Sequence, residues 1–148
     1  MSGTPAAVVR LLLGSARSEV LVSSADGRRH ALTLALGLDN VRPGPLRSEP
    51  PSAMELEAAI EYVENVVMPL ARQLPSGALL HVEGELPPGV EALRSIEEIE
   101  ARFNEIVAVA HGRPAGRSGL ADRRQASAVL ILREWMHHLG FAAIGRGD

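Results

Sequence analysis

The sequence predicts an α+β domain. An antiparallel β-meander or hairpin comes first, then helix, strand, helix and helix, with the helices packed on one face of a small sheet. Three observations lead there. An Asp26-Gly27 turn separates two strand-like runs, Glu19 to Ser24 and Arg29 to Gly37. Two Ser-x-x-Glu boxes, at Ser52 and Ser95, each open a run of apolar residues spaced by threes and fours. The whole chain of 148 residues has the size of a single domain, with no internal repeat and no low-complexity tract.

The elements follow in order. Val8, Val9 and the leucines make Ala7 to Leu13 a strand that closes a meander through Gly14-Ser15, although Thr4-Pro5 ahead of it also fits the start of a helix. Asp-Gly suggests a type I′ turn for the hairpin. On its second strand Leu32, Leu34 and Leu36 share the core face. Residues 39–51 hold four of the ten prolines and form an irregular connection. Leu56, Ile60, Val63, Val67, Leu70 and Leu74 form one helical stripe, with Pro69 ending or kinking the helix near Val66. Gly77 to Glu83 reads as a strand. Ile96, Ile99, Phe103 and Ile106 mark the second helix, which ends at Gly112. Asp122 caps the third, which runs to Leu139 and stops at Gly140 with Phe141 folding back. That last helix is apolar nearly all round, so it is either buried or shared with another subunit. Residues 1–6 and 144–148 are expected to fray.

Composition removes several chemistries. All fifteen basic residues are Arg and there is no Cys. This excludes a lysine Schiff base, a P-loop lysine, a thiolate nucleophile and a thiolate zinc site. The all-Arg usage fits a bacterial-like base composition. A net charge of -3 and 3% aromatics argue against general nucleic-acid binding. No apolar run reaches the roughly 18–20 residues that span a bilayer, and the N-terminus lacks the pattern of a secretion signal. A cytoplasmic location, with no membrane or nucleic-acid partner and no cofactor, is the expectation.

Four clusters carry possible chemistry, each beside an ordinary reading. His81, Glu83 and Glu85 at strand spacing project to one face, suited to an acid–base pair or a metal; the ordinary reading is the solvent side of a half-buried strand. His111, Arg113, Arg117, Arg123 and Arg124, among the glycines of 111–124, suit a phosphate or carboxylate; the ordinary reading is a solvated loop. Glu57, Glu61 and Glu64 line one helix face, as any amphipathic helix provides. Glu134 and His137 form a Glu-x-x-His step, with His138 also one turn from Glu134. There the ordinary reading is imidazole at a helix C-terminus.

The element order of meander, helix, strand and helices resembles the first part of ribonuclease-H-like folds. Enzymes of that kind place an acid on the first strand; Ala7 to Leu13 holds none, and the later strands have no counterpart, so no family is assigned. With polar groups scattered over separate elements, the residues point first to a small non-catalytic module, a homodimer or a binder of another protein. Two alternatives stand beside it: a binder of a small anion through 111–124, and a metal-assisted hydrolase using His81 and Glu83.

Overall fold

The structure, a computed structural model, describes residues 6–40, 46–116, 120 and 122–145. The chain runs β1 (Val8–Leu13), β2 (Ser18–Ser23), β3 (Arg29–Leu34), α1 (Ala53–Val67), β4 (Leu79–Gly84), α2 (Ile96–Ala110) and α3 (Arg123–Leu139). Short 3-10 turns lie at Met68–Arg72 and Val90–Ala92. The α+β class and the element order are those the sequence predicts, and the N-terminal run is a strand.

The sheet has the spatial order β3-β2-β1-β4. The first three strands form the antiparallel meander, with Val9 opposite Val22 and Val20 opposite Leu32. β4 lies parallel to β1, with Leu11 opposite Val82. A parallel neighbour requires a long crossover, and α1 supplies it. The carboxyl ends of β1 and β4 therefore sit side by side. Val9, Leu11, Leu13, Val20, Val22, Leu34 and Leu80 face the core, under the helices.

The hairpin turn differs from the type I′ form that Asp-Gly suggests. Gly27 takes φ 90°, and among the described residues no non-glycine has positive φ. The Ser24 amide donates to the Arg28 carbonyl at 2.8 Å, and the Gly27 amide to the Ser24 carbonyl at 3.0 Å. A type I turn closed by one left-handed glycine satisfies the same residues without straining Asp26.

Both predicted capping boxes form. Ser52 accepts from the Glu55 amide at 3.1 Å and Glu55 accepts from the Ser52 amide at 3.0 Å; Ser95 and Glu98 repeat the pattern. Pro69 lacks an amide donor, and the α-helix gives way there to the 3-10 turn. At its C-terminus α3 ends on Gly140 at φ 78°, with the Gly140 and Phe141 amides both donating to the Met136 carbonyl.

α3 is the centre of the molecule. Its buried residues run from Gln125 to Met136, Trp135 among them, and it packs against both α1 and α2. The all-round apolar surface is thus covered by the chain's own sheet and helices, and no second subunit is needed to explain it. The tail expected to fray from residue 144 is held at its start. The Ile144 amide donates to the Arg94 carbonyl, and the Gly145 amide to the Leu80 carbonyl at 2.7 Å, along the outer edge of β4. Among the described residues no helix is long and apolar enough to cross a membrane.

The α1 cap has a pH signature. Burial raises the Glu55 carboxyl, but hydrogen bonds from the Ser48 hydroxyl and from the amides of Ser52, Ser48 and Arg47 outweigh it and hold the group below its ordinary 4.5. The stability its charge contributes is complete above that ordinary value and is lost as pH falls through the lower, folded-state value. In urea unfolding, Ser52→Ala is expected to cost about 1 kcal/mol at neutral pH. Glu55→Gln is expected to flatten the acid limb of the stability curve.

Candidate functional site

Two polar clusters form at opposite ends of α3. The first lies at the carboxyl ends of β1 and β4, where ligands collect in sheets with parallel neighbours. It is built on close backbone approaches. The Leu38 amide donates to the Gly14 carbonyl and the Asp39 amide to the Ser15 carbonyl, both at 2.8 Å; from the other side the Glu85 amide donates to the Leu13 carbonyl at 2.9 Å. The β1–β2 turn is thereby clamped between the chain leaving β3 and the chain leaving β4. A Cβ at Gly37 would stand 2.4 Å from the Ser15 carbonyl oxygen, and one at Gly84 would stand 2.3 Å from that of Leu13. Gly84 also takes φ +94°, where side chains are strained.

Over this clamp sits Arg124, in the first turn of α3. Its Nη2 donates to Glu85 Oε1 at 3.0 Å and to Ser15 Oγ at 3.3 Å, and its Nε stands 3.4 Å from Asp39. Ser15 Oγ donates to the same Glu85 oxygen at 3.0 Å. Hydrogen bonds from Arg124 and Ser15 hold the Glu85 carboxyl below its ordinary value, so it is ionised at neutral pH. A fixed guanidinium, a hydroxyl and an ionised carboxylate thus meet at one solvent-facing point.

The other residues of the predicted acid–base and anion groups part company here. Glu83 is taken by Arg10 on β1 at 2.8 Å. His81 lies half-buried under the tail, its ring 3.1 Å from where a Cβ of Gly145 would stand. Past Gly84 the chain turns, and Glu85 joins Arg124 instead of His81 and Glu83. Arg123 faces the other way from Arg124: its amide donates to Glu49 at 3.1 Å and its Nη1 to the Arg47 carbonyl at 2.9 Å. His111 caps the C-terminus of α2, exposed like Arg113. Arg117 lies outside the described residues.

The second cluster joins α1, α2 and α3 beside a hollow of about 220 Å³ lined by Glu64, Arg133, Glu134, His137 and His138. His138 Nε2 lies 3.1 Å from both Glu64 Oε2 and Glu134 Oε1. Arg133 spans Glu134 at 2.7 Å and Glu100 at 3.0 Å, with its guanidinium 4.5 Å over the Phe103 ring. His137 pairs with Glu100. Burial raises the Glu134 carboxyl above its ordinary value, against the pull of Arg133 and His138. At Glu100 burial raises, but hydrogen bonds from His137 and Arg133 prevail and lower it. The Glu-x-x-His step therefore splits, and it is His138, one full turn from Glu134, that shares its site. Of the carboxylate row only Glu64 takes part; Glu57 and Glu61 are exposed.

Some of this has no local signal. Ser15 and Asp39 are ordinary loop residues until β4 and α3 arrive, and Glu100 and His137 are 37 residues apart. The four-residue step from Glu134 to His138 is the one part that helix periodicity marks.

No protein-family model matches the chain, and no curated protein sequence matches it. Solved structures do. The Ppx/GppA phosphatase of Aquifex aeolicus, in its type II variant, superposes with a TM-score of 0.69 at 14% identity, over 97% of this chain and 54% of that one. Another structure of the Aquifex aeolicus PPX-GPPA enzyme gives 0.68 at 13%, again over 97% and 54%. An exopolyphosphatase-like protein gives 0.62 at 13%, over 99% and 57%. At such identities the likeness is one of fold, and the chain spans little more than half the length of these structures. The neighbours overturn the expectation of a non-catalytic, protein-binding module. They bear the names of a phosphatase family, and the helix that suggested a second subunit is enclosed within the chain.

The clamp itself is testable. Gly84→Ala is expected to lower the unfolding free energy by about 1–3 kcal/mol, through left-handed strain and the Leu13 carbonyl. Gly77→Ala, at φ +71° with open space around it, is expected to cost less in the same denaturant titration.

Proposed function

We propose that this chain is a phosphatase-like hydrolase domain that takes a phosphate-bearing ligand at the carboxyl ends of β1 and β4. The observation that carries the reading is the convergence of Arg124, Ser15 and Glu85 on the glycine clamp, at the end of the sheet where such folds bind ligands. The names of the structural neighbours, exopolyphosphatase-like and Ppx/GppA phosphatase, support phosphate as the ligand chemistry.

The roles follow from the groups. A guanidinium has five N–H donors in a planar fork. Among the described residues the hydrogen bonds of the Arg124 guanidinium run through Nη2, with Nε only in ion-pair range of Asp39, which leaves Nη1 for a phosphate oxygen. The Ser15 hydroxyl, whose single proton goes to Glu85, helps to hold that carboxylate in place. Glu85, kept ionised, accepts the proton of an attacking water. The predicted hydrolase pair of His81 and Glu83 is thereby replaced in this proposal by Glu85, because Arg10 occupies Glu83. The predicted anion loop contributes Arg124.

Isothermal titration with pyrophosphate and inorganic polyphosphate tests binding, and a phosphate-release assay with and without Mg²⁺ tests turnover. Wild type is expected to bind, and Arg124→Gln to bind at least about ten-fold more weakly, the size of one charged hydrogen bond. Glu85→Gln is expected to retain binding and lose phosphate release. Equal binding by wild type and Arg124→Gln, or no binding by folded wild type, rules the reading out.

A further inference from the structure

We propose that Glu64, Glu134 and His138 form a divalent transition-metal site, of the zinc class, at the far end of α3 from the phosphate site. One oxygen from each carboxylate and one imidazole nitrogen all lie within 4.8 Å of one another. They come from two helices, and the side chain of Glu134 is almost wholly buried.

The geometry around His138 is the reason to place a cation there. Its Nε2 stands 3.1 Å from two different carboxylate oxygens. A single N–H shared between the two is bent away from each, while a good hydrogen bond keeps its angle above about 150°. A neutral Nε2 lone pair would face two acceptors and be repelled by both. A metal ion at the shared point satisfies all three groups at once, because its attraction is set by distance rather than by one bond direction. Metal–ligand bonds of about 2.0–2.2 Å in a tetrahedral arrangement need ligand atoms roughly 3.4 Å apart, a few tenths of an ångström wider than the two distances from His138. Small rotations of the Glu64 and His138 side chains, both partly exposed, provide that.

The surroundings suit the same assignment. The hollow of about 220 Å³ beside the three ligands leaves room for a water in the fourth position. Arg133 holds the second oxygen of Glu134 at 2.7 Å and is itself held by Glu100, so the buried carboxylate is fixed in orientation. Two carboxylates neutralise a divalent ion. The imidazole nitrogen and the tetrahedral spacing favour zinc over magnesium, calcium or manganese, which suit oxygen shells. His137, committed to Glu100, is not a ligand.

The test uses the full chain, stripped with a chelator and titrated with ZnCl₂, MnCl₂ and MgCl₂ in separate calorimetric runs, with thermal melting alongside. Wild type is expected to bind one zinc ion and to melt higher with it, because the ion binds the folded state alone. Magnesium is expected to do neither, and manganese to bind more weakly than zinc. Glu64→Gln and His138→Gln, both at partly exposed positions, are each expected to weaken binding by at least about ten-fold while the circular dichroism spectrum is kept. His137→Gln is expected to bind as wild type does. Absence of one-to-one binding in the wild type overturns the site. So does unchanged affinity in Glu64→Gln and His138→Gln, or an equal loss in His137→Gln.

Discussion

Enclosure of α3 is the constraint on which the other features rest. A helix with apolar residues on every side has to be surrounded. Here the sheet covers one side, and α1 and α2 cover the others. Burying side chains such as Leu130, Ile131, Leu132 and Trp135 contributes on the order of 2–3 kcal/mol each, as an upper bound. A typical hydrogen bond contributes only about 0.5–1.5 kcal/mol net. The helix position is therefore fixed by packing, and the polar groups on it are placed as a consequence.

That placement gives α3 a polar cluster at each end. Its first turn delivers Arg124 to the carboxyl ends of β1 and β4. Its last turns deliver Glu134 and His138 to the junction with α1. The glycines answer the same constraint from the sheet side: Gly37 and Gly84 allow the loops to close on the β1–β2 turn, which brings Ser15, Asp39 and Glu85 within reach of one guanidinium. The phosphate reading and the metal reading share this spine but no residue, so each stands without the other.

What the sequence made legible was local. Ser52 with Glu55, Ser95 with Glu98, and Gly140 are signals read within a few residues, and all three appear as read. The apolar stripes work the same way, because a helix face repeats every three to four residues. The direction of β4 was not legible, since Leu79 to Gly84 looks the same run parallel or antiparallel, and the crossover through α1 decides it. The sites were harder still. Glu64 and His138 are 74 residues apart, and Glu85 and Arg124 are 39 apart. His81, Glu83 and Glu85 obeyed strand alternation until Gly84, where the turn at φ +94° sent Glu85 elsewhere. An all-round apolar pattern says that α3 is either buried or shared. Only the tertiary packing chooses between those two.

Amide hydrogen exchange along α3 is the most direct measurement of this account. If the chain's own sheet and helices enclose the helix, the amides from Ala126 to Met136 exchange only through global unfolding, at rates independent of protein concentration. Exchange in that segment that speeds up on dilution, while the sheet stays protected, would mean that another molecule supplies the cover, and the account would fail.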